Sequence, residues 1–485
     1  MSTVGFPSEL KNEIDMSLPE GINSYSVRVV PSNVSQVVSS TQTLTASSSL
    51  NLNGTSTNII FDIPTGAPGT HIDHRFTTIS FRSNYEIVNT PNAAVISQFW
   101  LRSGAHAHFD RATLYNQSGG IVDDITNFGL VNDTMIQLQY NVQDRDCMSQ
   151  MYGFSYERGT TVSGTDTSAL NNNQGHKVAP LIATLGASSS NYYSYCFPLM
   201  NSLIGQNASK FFNIGKTGKL QYVLQSAAIL PLTIVTGTAT TAATFRCTLD
   251  NIQLNLEYID LGESVKLLNR PRLQYYNGTT FRVSSNTIPA STSGNISLLT
   301  GIKGNSIRGL FSRFTESSTV STAGCLNFLY DSKCPSATSI SWNINGMLYP
   351  PNPVDLIHQP ANCLAFTQQA NSNFNNYEFK SGLVPNKYFI RLATGGTFPT
   401  DADYVFTDAG TATCADGLAN FLWGINLEKV SRAGIMDGLS ILSGNVFLQM
   451  VWACNNSNAV TAYFISKQDI VYVLDSETGE LTSRT

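Results

Sequence analysis

The stretch Phe245-Arg246-Cys247-Thr248-Leu249-Asp250-Asn251-Ile252-Gln253-Leu254-Asn255-Leu256-Glu257-Tyr258-Ile259 decides the fold class. Apolar and polar side chains alternate along it, the signature of a strand with one face against a core. Similar runs precede it at residues 58–63, 76–85, 95–101, 192–199 and 220–227. A second series follows at 326–330, 339–345, 388–392, 421–427, 446–453 and 462–473. Gly, Asn, Ser and Pro bound these runs, so the chain reads as all-β. Two sets of strands in tandem predict two eight-stranded sandwiches of similar topology, with a few short helices and long surface loops. The expected division is an N-terminal arm over 1–23, a first sandwich over 24–260, a linker over 261–272, a second sandwich over 273–474 and a polar tail over 475–485.

Composition agrees with that division. A chain of 485 residues exceeds one ordinary core. Its 42% apolar residues and net charge of −5 exclude the composition of a disordered protein. Only 13% of the residues are charged, about half the usual share of roughly 25%. A surface on the order of 18,000 Å² must then be covered largely by neutral polar groups, which are cheaper to desolvate on assembly than charges. Without a Lys/Arg excess there is no electrostatic footprint for tracking phosphates. The longest apolar uncharged stretch, 227–235 around Pro231, falls far short of the roughly 18 to 20 residues of a spanning helix. Acidic residues near the N-terminus argue against a signal peptide and secretion. The eight cysteines are scattered, so reduced thiols are expected rather than a disulfide framework or a zinc site.

Helical signals are sparse. Ile307, Leu310, Phe311 and Phe314 fall at i, i+3, i+4 and i+7 behind Ser306, a capping residue, and predict an amphipathic helix. Residues 123–130 follow the Ser118-Gly119-Gly120 turn with Asp123 and Asp124 placed to suit a helix N-terminus. Residues 8–16, between Pro7 and Pro19, read as a short polar helix, and 262–268 as a helical turn or two before Arg270-Pro271-Arg272 halts them. The polar segments 159–175 and 368–381 read as surface-building loops.

Enzymatic signals are fragmentary. His71 and His74, and His106 and His108 with Asp110 behind them, are the strongest. On a strand, His106 and His108 would share a face and offer two ligands to a metal, as in cupins. The cupin pattern then asks for a Glu and a glycine spacing that Ala112 and Gly104 do not supply, which favours surface or interface hydrogen bonding. Gly215-Lys216-Thr217 imitates the end of a phosphate loop, but Lys210 stands where the first Gly is required. Gly438-Leu439-Ser440 continues into Ile441 and Leu442 without closing a nucleophile elbow. Asp123/Asp124 and Asp401/Asp403 are candidate glycosidase acids by type alone, and helix starts and solvated loops explain them more cheaply. Lys266, Arg270 and Arg272, with Arg308 and Arg313, read as solvated helix faces, or else as a surface for genome or membrane phosphates. No catalytic, cofactor-binding or metal-binding residue is assigned, and no cofactor is expected.

Several segments, in order, resemble the double jelly-roll major capsid proteins, and most closely those of polinton-like viruses, virophages and related eukaryotic DNA viruses. Phe61-Asp62-Ile63-Pro64 with Ile72-Asp73 and Phe76 resembles the family's opening strand, bend and return strand. Ala112-Thr113-Leu114-Tyr115, then Ser118-Gly119-Gly120-Ile121-Val122-Asp123-Asp124-Ile125 and Phe128, resembles its strand, glycine turn and short helix. Cys196-Phe197-Pro198-Leu199 with Leu203-Ile204-Gly205 and Lys210 is similar to the segment before the next strand. Ser306-Ile307-Arg308-Gly309-Leu310-Phe311 resembles the helix leading into the second jelly roll. Trp342-Asn343-Ile344-Asn345-Gly346 with Tyr349-Pro350 and Pro353 resembles a strand and turn that introduce it.

The resemblance implies a structural, non-enzymatic chain of two jelly rolls. Three such chains would form a pseudo-hexameric homotrimeric capsomer, and capsomers would tile an icosahedral shell in the virion, assembled inside the host cell. It implies as partners neighbouring capsomers, penton and minor capsid proteins, and inner contact with genome or membrane, with no small-molecule substrate. The alternative is a tandem β-sandwich carbohydrate-binding or carbohydrate-processing protein, since sandwiches host both; a metal-dependent bicupin enzyme ranks third.

Overall fold

The computed structural model describes residues 34–37, 50–51, 56–67, 69–88, 98–102, 104–140, 151–153, 175–178, 190–205, 211–228, 232–236, 244–260, 272–316, 320–321, 326–327, 332–333, 337–356, 359–370, 418–419, 421–428, 438–452 and 459–484. The first half contributes β1 (Val34–Val37), β2 (Asn58–Ile63), β3 (Thr70–Val88), β4 (Phe109–Tyr115) and β5 (Ile121–Thr126). Helix α1 (Phe128–Gln139) follows, then β6 (Ser190–Pro198), β7 (Leu220–Ser226) and β8 (Thr244–Asp260). The second half contributes β9 (Leu273–Ile288), β10 (Gly294–Leu299), β11 (Gly304–Glu316), β12 (Ala337–Ile344), β13 (Met347–Asp355), helix α2 (Pro360–Gln369), β14 (Trp423–Asn426), β15 (Val446–Trp452) and β16 (Val460–Asp475). A last strand, β17 (Leu481–Arg484), comes after these.

The first half forms two antiparallel sheets, β1-β8-β3-β6 and β2-β7-β4-β5, and the second forms β9-β16-β11-β14 and β10-β15-β12-β13. Adding eight to every label of the first half gives the second. Each half is an eight-stranded jelly roll with a helix after its fifth strand. Consecutive strands alternate in direction, so the third-to-fourth, fifth-to-sixth and seventh-to-eighth connections leave one end. There, short strands from all three connections of the first half, Gln98–Arg102, Gly175–Val178 and Leu232–Thr236, pair into a further small sheet. In the second half, Val320–Ser321 pairs with Leu326–Asn327, and Ser332–Lys333 with Leu418–Ala419. Residues 159–174 and 371–381 of the expected loops, the run 388–392, and the helices expected at 8–16 and 262–268 lie outside the described residues.

Alternation sets the cores. Ile59, Phe61 and Ile63 of β2 are buried while Ile60 between them is exposed, and β7 and β15 alternate similarly. In β8 the alternation slips where the register against β3 shifts between Asp250 and Gln253, with Asn251 at a φ of 50°. This bulge resets the phase, so Cys247, Leu249, Ile252, Leu254, Leu256 and Tyr258 are all buried.

Residues 306–314 form a strand, not a helix. Ile307, Leu310, Phe311 and Phe314 are fully buried because β11 is covered on both faces. Ser312 lies opposite Phe464, whose ring meets Trp342 of the facing sheet at 6.1 Å. Gly309 approaches Ala370 at the end of α2, and Arg313 reaches the first half. A register shift between Ile307 and Gly309 completes the false helical spacing. Residues 121–126 likewise form a strand, and the helix starts only at Phe128, after Asn127 turns the backbone left-handed (φ 49°, ψ 45°). The bend expected around 71–76 falls within β3, where residues 74–77 bulge out of the pairing with β8, between Thr78 opposite Asn255 and Asp73 opposite Glu257. The Trp342 to Tyr349 segment, expected to introduce the second jelly roll, supplies its fourth and fifth strands, joined by Asn345-Gly346 with both residues at positive φ. The segment with Phe61 supplies the second strand of its roll, since β1 precedes it.

Residues 475–485 are not only a polar tail, since they include a paired strand. β11 stops pairing with β16 at Gln468, whereas β3 follows β8 to its end, from Thr70 opposite Asp260. β17 fills the vacant edge by pairing with residues 471–474, and Leu481 is fully buried.

Candidate functional site

Among the described residues no cluster of reactive side chains stands out, and the most elaborate site there is the seam between the halves. Asp123 and Asp124, adjacent on β5, point to opposite faces. Asp123 is 1% exposed. Its carboxylate accepts hydrogen bonds from Thr280 Oγ1 of β9 (2.7 Å), Ser202 Oγ (2.9 Å) and Asn201 Nδ2 (3.1 Å). Ser202 also meets the Tyr472 hydroxyl of β16, and burial, with Asp123 nearby, pushes that phenol far above its ordinary pKa. Asp124 is held by Arg111 Nε (2.7 Å) and Nη2 (2.8 Å) and by Thr113 Oγ1 (2.9 Å). Burial alone would raise its pKa, but these donors hold it below the usual carboxylate value. Arg282 of β9 donates to the Asp124 carbonyl. The backbones meet closely because Gly278 has no side chain, and a Cβ there would lie 2.4 Å from the Ser202 carbonyl oxygen.

The seam extends in both directions. Below, Asn116 Nδ2 donates to Leu481 O (2.9 Å), Gln117 Nε2 to Thr478 O (3.2 Å) and Gly218 N to Gly479 O (2.9 Å), so the β16–β17 hairpin grips the first half. Above, Arg313 of β11 pairs with Asp133 of α1, both side chains at most 3% exposed. Arg313 also donates to Thr134 Oγ1 (3.1 Å), and Gln137 Nε2 donates to Asp133 (2.8 Å). Such a pair adds little net stability over apolar packing, yet removing one partner strands a buried charge.

His106 and His108 do not share a strand face; they lie in a 3₁₀ turn, Ala105–His108, and both are buried. Burial pushes each pKa down to about 4, opposed by Asp133 for His106 and by the Ala105 carbonyl bond for His108. Their surroundings are aromatic: His108 packs on Phe81 (5.1 Å) and His106 on Phe197 (6.4 Å). They are core groups, not surface ones. Asp110 behind them is exposed on β4. His71 is 3% exposed, with Nδ1 bonded to the Gly69 carbonyl, and the His74 ring packs on Phe211. Among the described residues, no three His, Cys, Asp or Glu side chains converge as metal ligands, and no helix is long and apolar enough to cross a membrane.

Gly215-Lys216-Thr217 closes a 3₁₀ turn, and a Cβ on Gly215 would lie 2.3 Å from the Ala67 carbonyl oxygen, so this backbone packs on the chain and cradles nothing. Ser440 sits exposed on the short strand Leu439–Ile441. Arg308 is not on a helix face but on β11, paired with Glu428 at 2.5 Å, and Arg272 pairs with Asp475 at 3.0 Å. Lys210, Lys266, Arg270, Asp401 and Asp403 lie outside the described residues. Asn201, Ser202, Thr280 and Tyr472 carry no signal in the sequence, because each becomes special only when the halves dock.

Among the described residues, β13 packs on helix α2 of its own half rather than on a seam of this kind. By position in its roll, β13 is the counterpart of β5, whose Val122 and Asp123 are buried. β13 exposes its first residue Met347 (63%) as β5 exposes Ile121 (56%), but it also exposes Pro351, Asn352 and Pro353 and buries only Val354. Its prolines lack N–H donors, so this edge is guarded against extension by another strand.

No protein-family model and no curated protein matches the chain. Solved structures do. A chain of the Sputnik virophage, from its 3.5 Å cryo-EM structure, superposes with a TM-score of 0.54 at 12% identity, covering 94% of this chain and 91% of that one. The mavirus major capsid protein superposes with a TM-score of 0.50 at 13% identity, covering 100% and 95%. At such identities the likeness is one of fold, and together with the strand order repeated in each half it gives this chain the double jelly-roll architecture.

Proposed function

We propose that this chain is a major capsid protein of a DNA virus, a structural subunit without catalytic role or cofactor. Three copies close into a pseudo-hexameric capsomer, and capsomers tile an icosahedral shell with penton and minor capsid proteins. The observation that carries the reading is the one-sided seam between two like units. Within the chain, β5 of the first unit docks on β9 and β16 of the second. Among the described residues β13 makes no seam of this kind, and β1 and β8 are the counterparts of β9 and β16. Docking β13 of one copy against β1 and β8 of the next repeats one heterologous contact around a ring, and six units close it. Two units per chain make that three chains. The likeness to capsid structures supports the same reading, as does the low charge, which favours broad flanking contacts.

The units are proposed to span 24–260 and 273–484, joined by 261–272, with residues 1–23 as an arm between capsomers or toward the shell interior. The native mass of the full chain tests the ring. Three times 52.7 kDa, about 158 kDa, is expected at micromolar concentration. Met347→Asp should lower it toward one chain without changing the circular dichroism. A wild-type chain that runs as a monomer contradicts the ring.

A further inference from the structure

The upper seam holds more ionisable chemistry than a static joint needs. The Arg313–Asp133 pair crosses between the halves in a dry place. His106, on the 3₁₀ turn packed beneath α1, is 2% exposed, and its Nε2 has no hydrogen-bond partner. Among the described residues, the groups that bear on its charge are Asp133 of α1, which favours its protonation, and His108 of its own turn, whose charge would oppose it; β6 presents the Phe197 ring to it and Tyr195 to His108, and Gly153, beside Tyr152, approaches Ala105 of the same turn. A positive charge on His106 would compete with Arg313 for one carboxylate and would leave its own Nε2 proton unsatisfied in the core.

We propose that His106, Asp133 and Arg313 form an acid-sensitive latch between the two jelly rolls: protonation of His106 loosens the packing of α1 against β11 and opens the upper seam. The orphan nitrogen makes the closed state intolerant of a proton, whereas an opened state in which α1 leaves both β11 and the turn beneath it puts His106 in water, where it accepts the proton at the ordinary histidine value. Acid therefore selects the opened seam. With a value of about 4 when closed and roughly 6.5 when open, the opening constant should rise by about thirtyfold between pH 7.5 and pH 5.0. The latch is independent of the capsid reading, since it lies within one chain.

Hydrogen exchange of the full chain at pH 7.5 and 5.0, corrected for the intrinsic pH dependence of exchange, tests it. Residues 128–139 and 304–316 should lose protection by about that factor, while β2 and β7 keep theirs. In His106→Gln most of the loss should vanish, and in His108→Gln it should persist. If His106→Gln does not fold, Asp133→Asn supplies the test: residues 128–139 should exchange fast at both pH values. Equal acid loss in wild type and His106→Gln, loss spread evenly over both sandwiches, or a pH-dependent seam in Asp133→Asn would overturn the latch.

Discussion

Asp123 shows how far a single residue can be read before its surroundings are known. Its neighbour Asp124 is the same residue type on the same strand, yet one carboxylate ends in the seam and the other beside Arg111. The sequence shows two acids after a glycine turn, and a helix start is the cheaper reading of that pattern. Only the pairing of β4 with β5, Leu114 opposite Asp123 and Thr113 opposite Asp124, separates their faces. Asp123→Ala should cost about 3 to 5 kcal/mol, because Thr280, Ser202 and Asn201 lose their shared acceptor in a dry place; urea unfolding monitored by tryptophan fluorescence reads this. His108 supplies a pH prediction. Its folded pKa of about 4 lies below the ordinary 6.5, so the unfolded chain binds the proton first. Its contribution is intact above roughly pH 6.5 and is lost as pH falls toward 4, up to about 3 kcal/mol. His108→Phe should flatten the acid side of a stability–pH profile, and an unchanged profile would show that the ring is not dry.

Strands with alternating burial are legible, and so is β16 although its middle is buried on both faces. The runs at 58–63, 220–227, 245–259, 446–453 and 462–473 coincide with β2, β7, β8, β15 and β16 to within two residues at either end. β11 was not legible, since a strand covered on both faces and carrying a bulge presents apolar residues at helical spacing. β9 is hidden for a different reason: polar residues such as Thr279 and Thr280 interrupt its apolar pattern, and Thr280 is buried against Asp123 of the other half. Helix α2 was missed because it starts at Pro360, a favourable first position, without an acidic first turn. β17 looks like a tail in the sequence because four residues with one Leu carry no period, yet Leu481 is fully buried against β16. Leu481→Ala should cost about 2 to 4 kcal/mol, and removing 481–485 at least as much, read as a lowered thermal midpoint. A truncated chain of unchanged stability would restore the tail. Gly278→Ala should weaken the seam while leaving each sandwich folded, visible as faster proteolysis between the halves.

At the scale of the whole molecule, the repeat was legible as two sets of strands, whereas the seam was not, because it belongs to neither set. The seam orients two like units in one direction only, and the account of function rests on that direction recurring between chains. Flank contacts between units should be dry and neutral, while contacts between capsomers should be wet and charged at their rims. Raising salt should therefore release trimers from larger assemblies before any trimer splits, and sedimentation across a salt series would show the order. Electron microscopy of the purified full chain tests the central claim most directly. The account predicts threefold particles with six similar lobes, two per chain, arranged as a hexagon; two-lobed single chains, or rings of any other number, would contradict it.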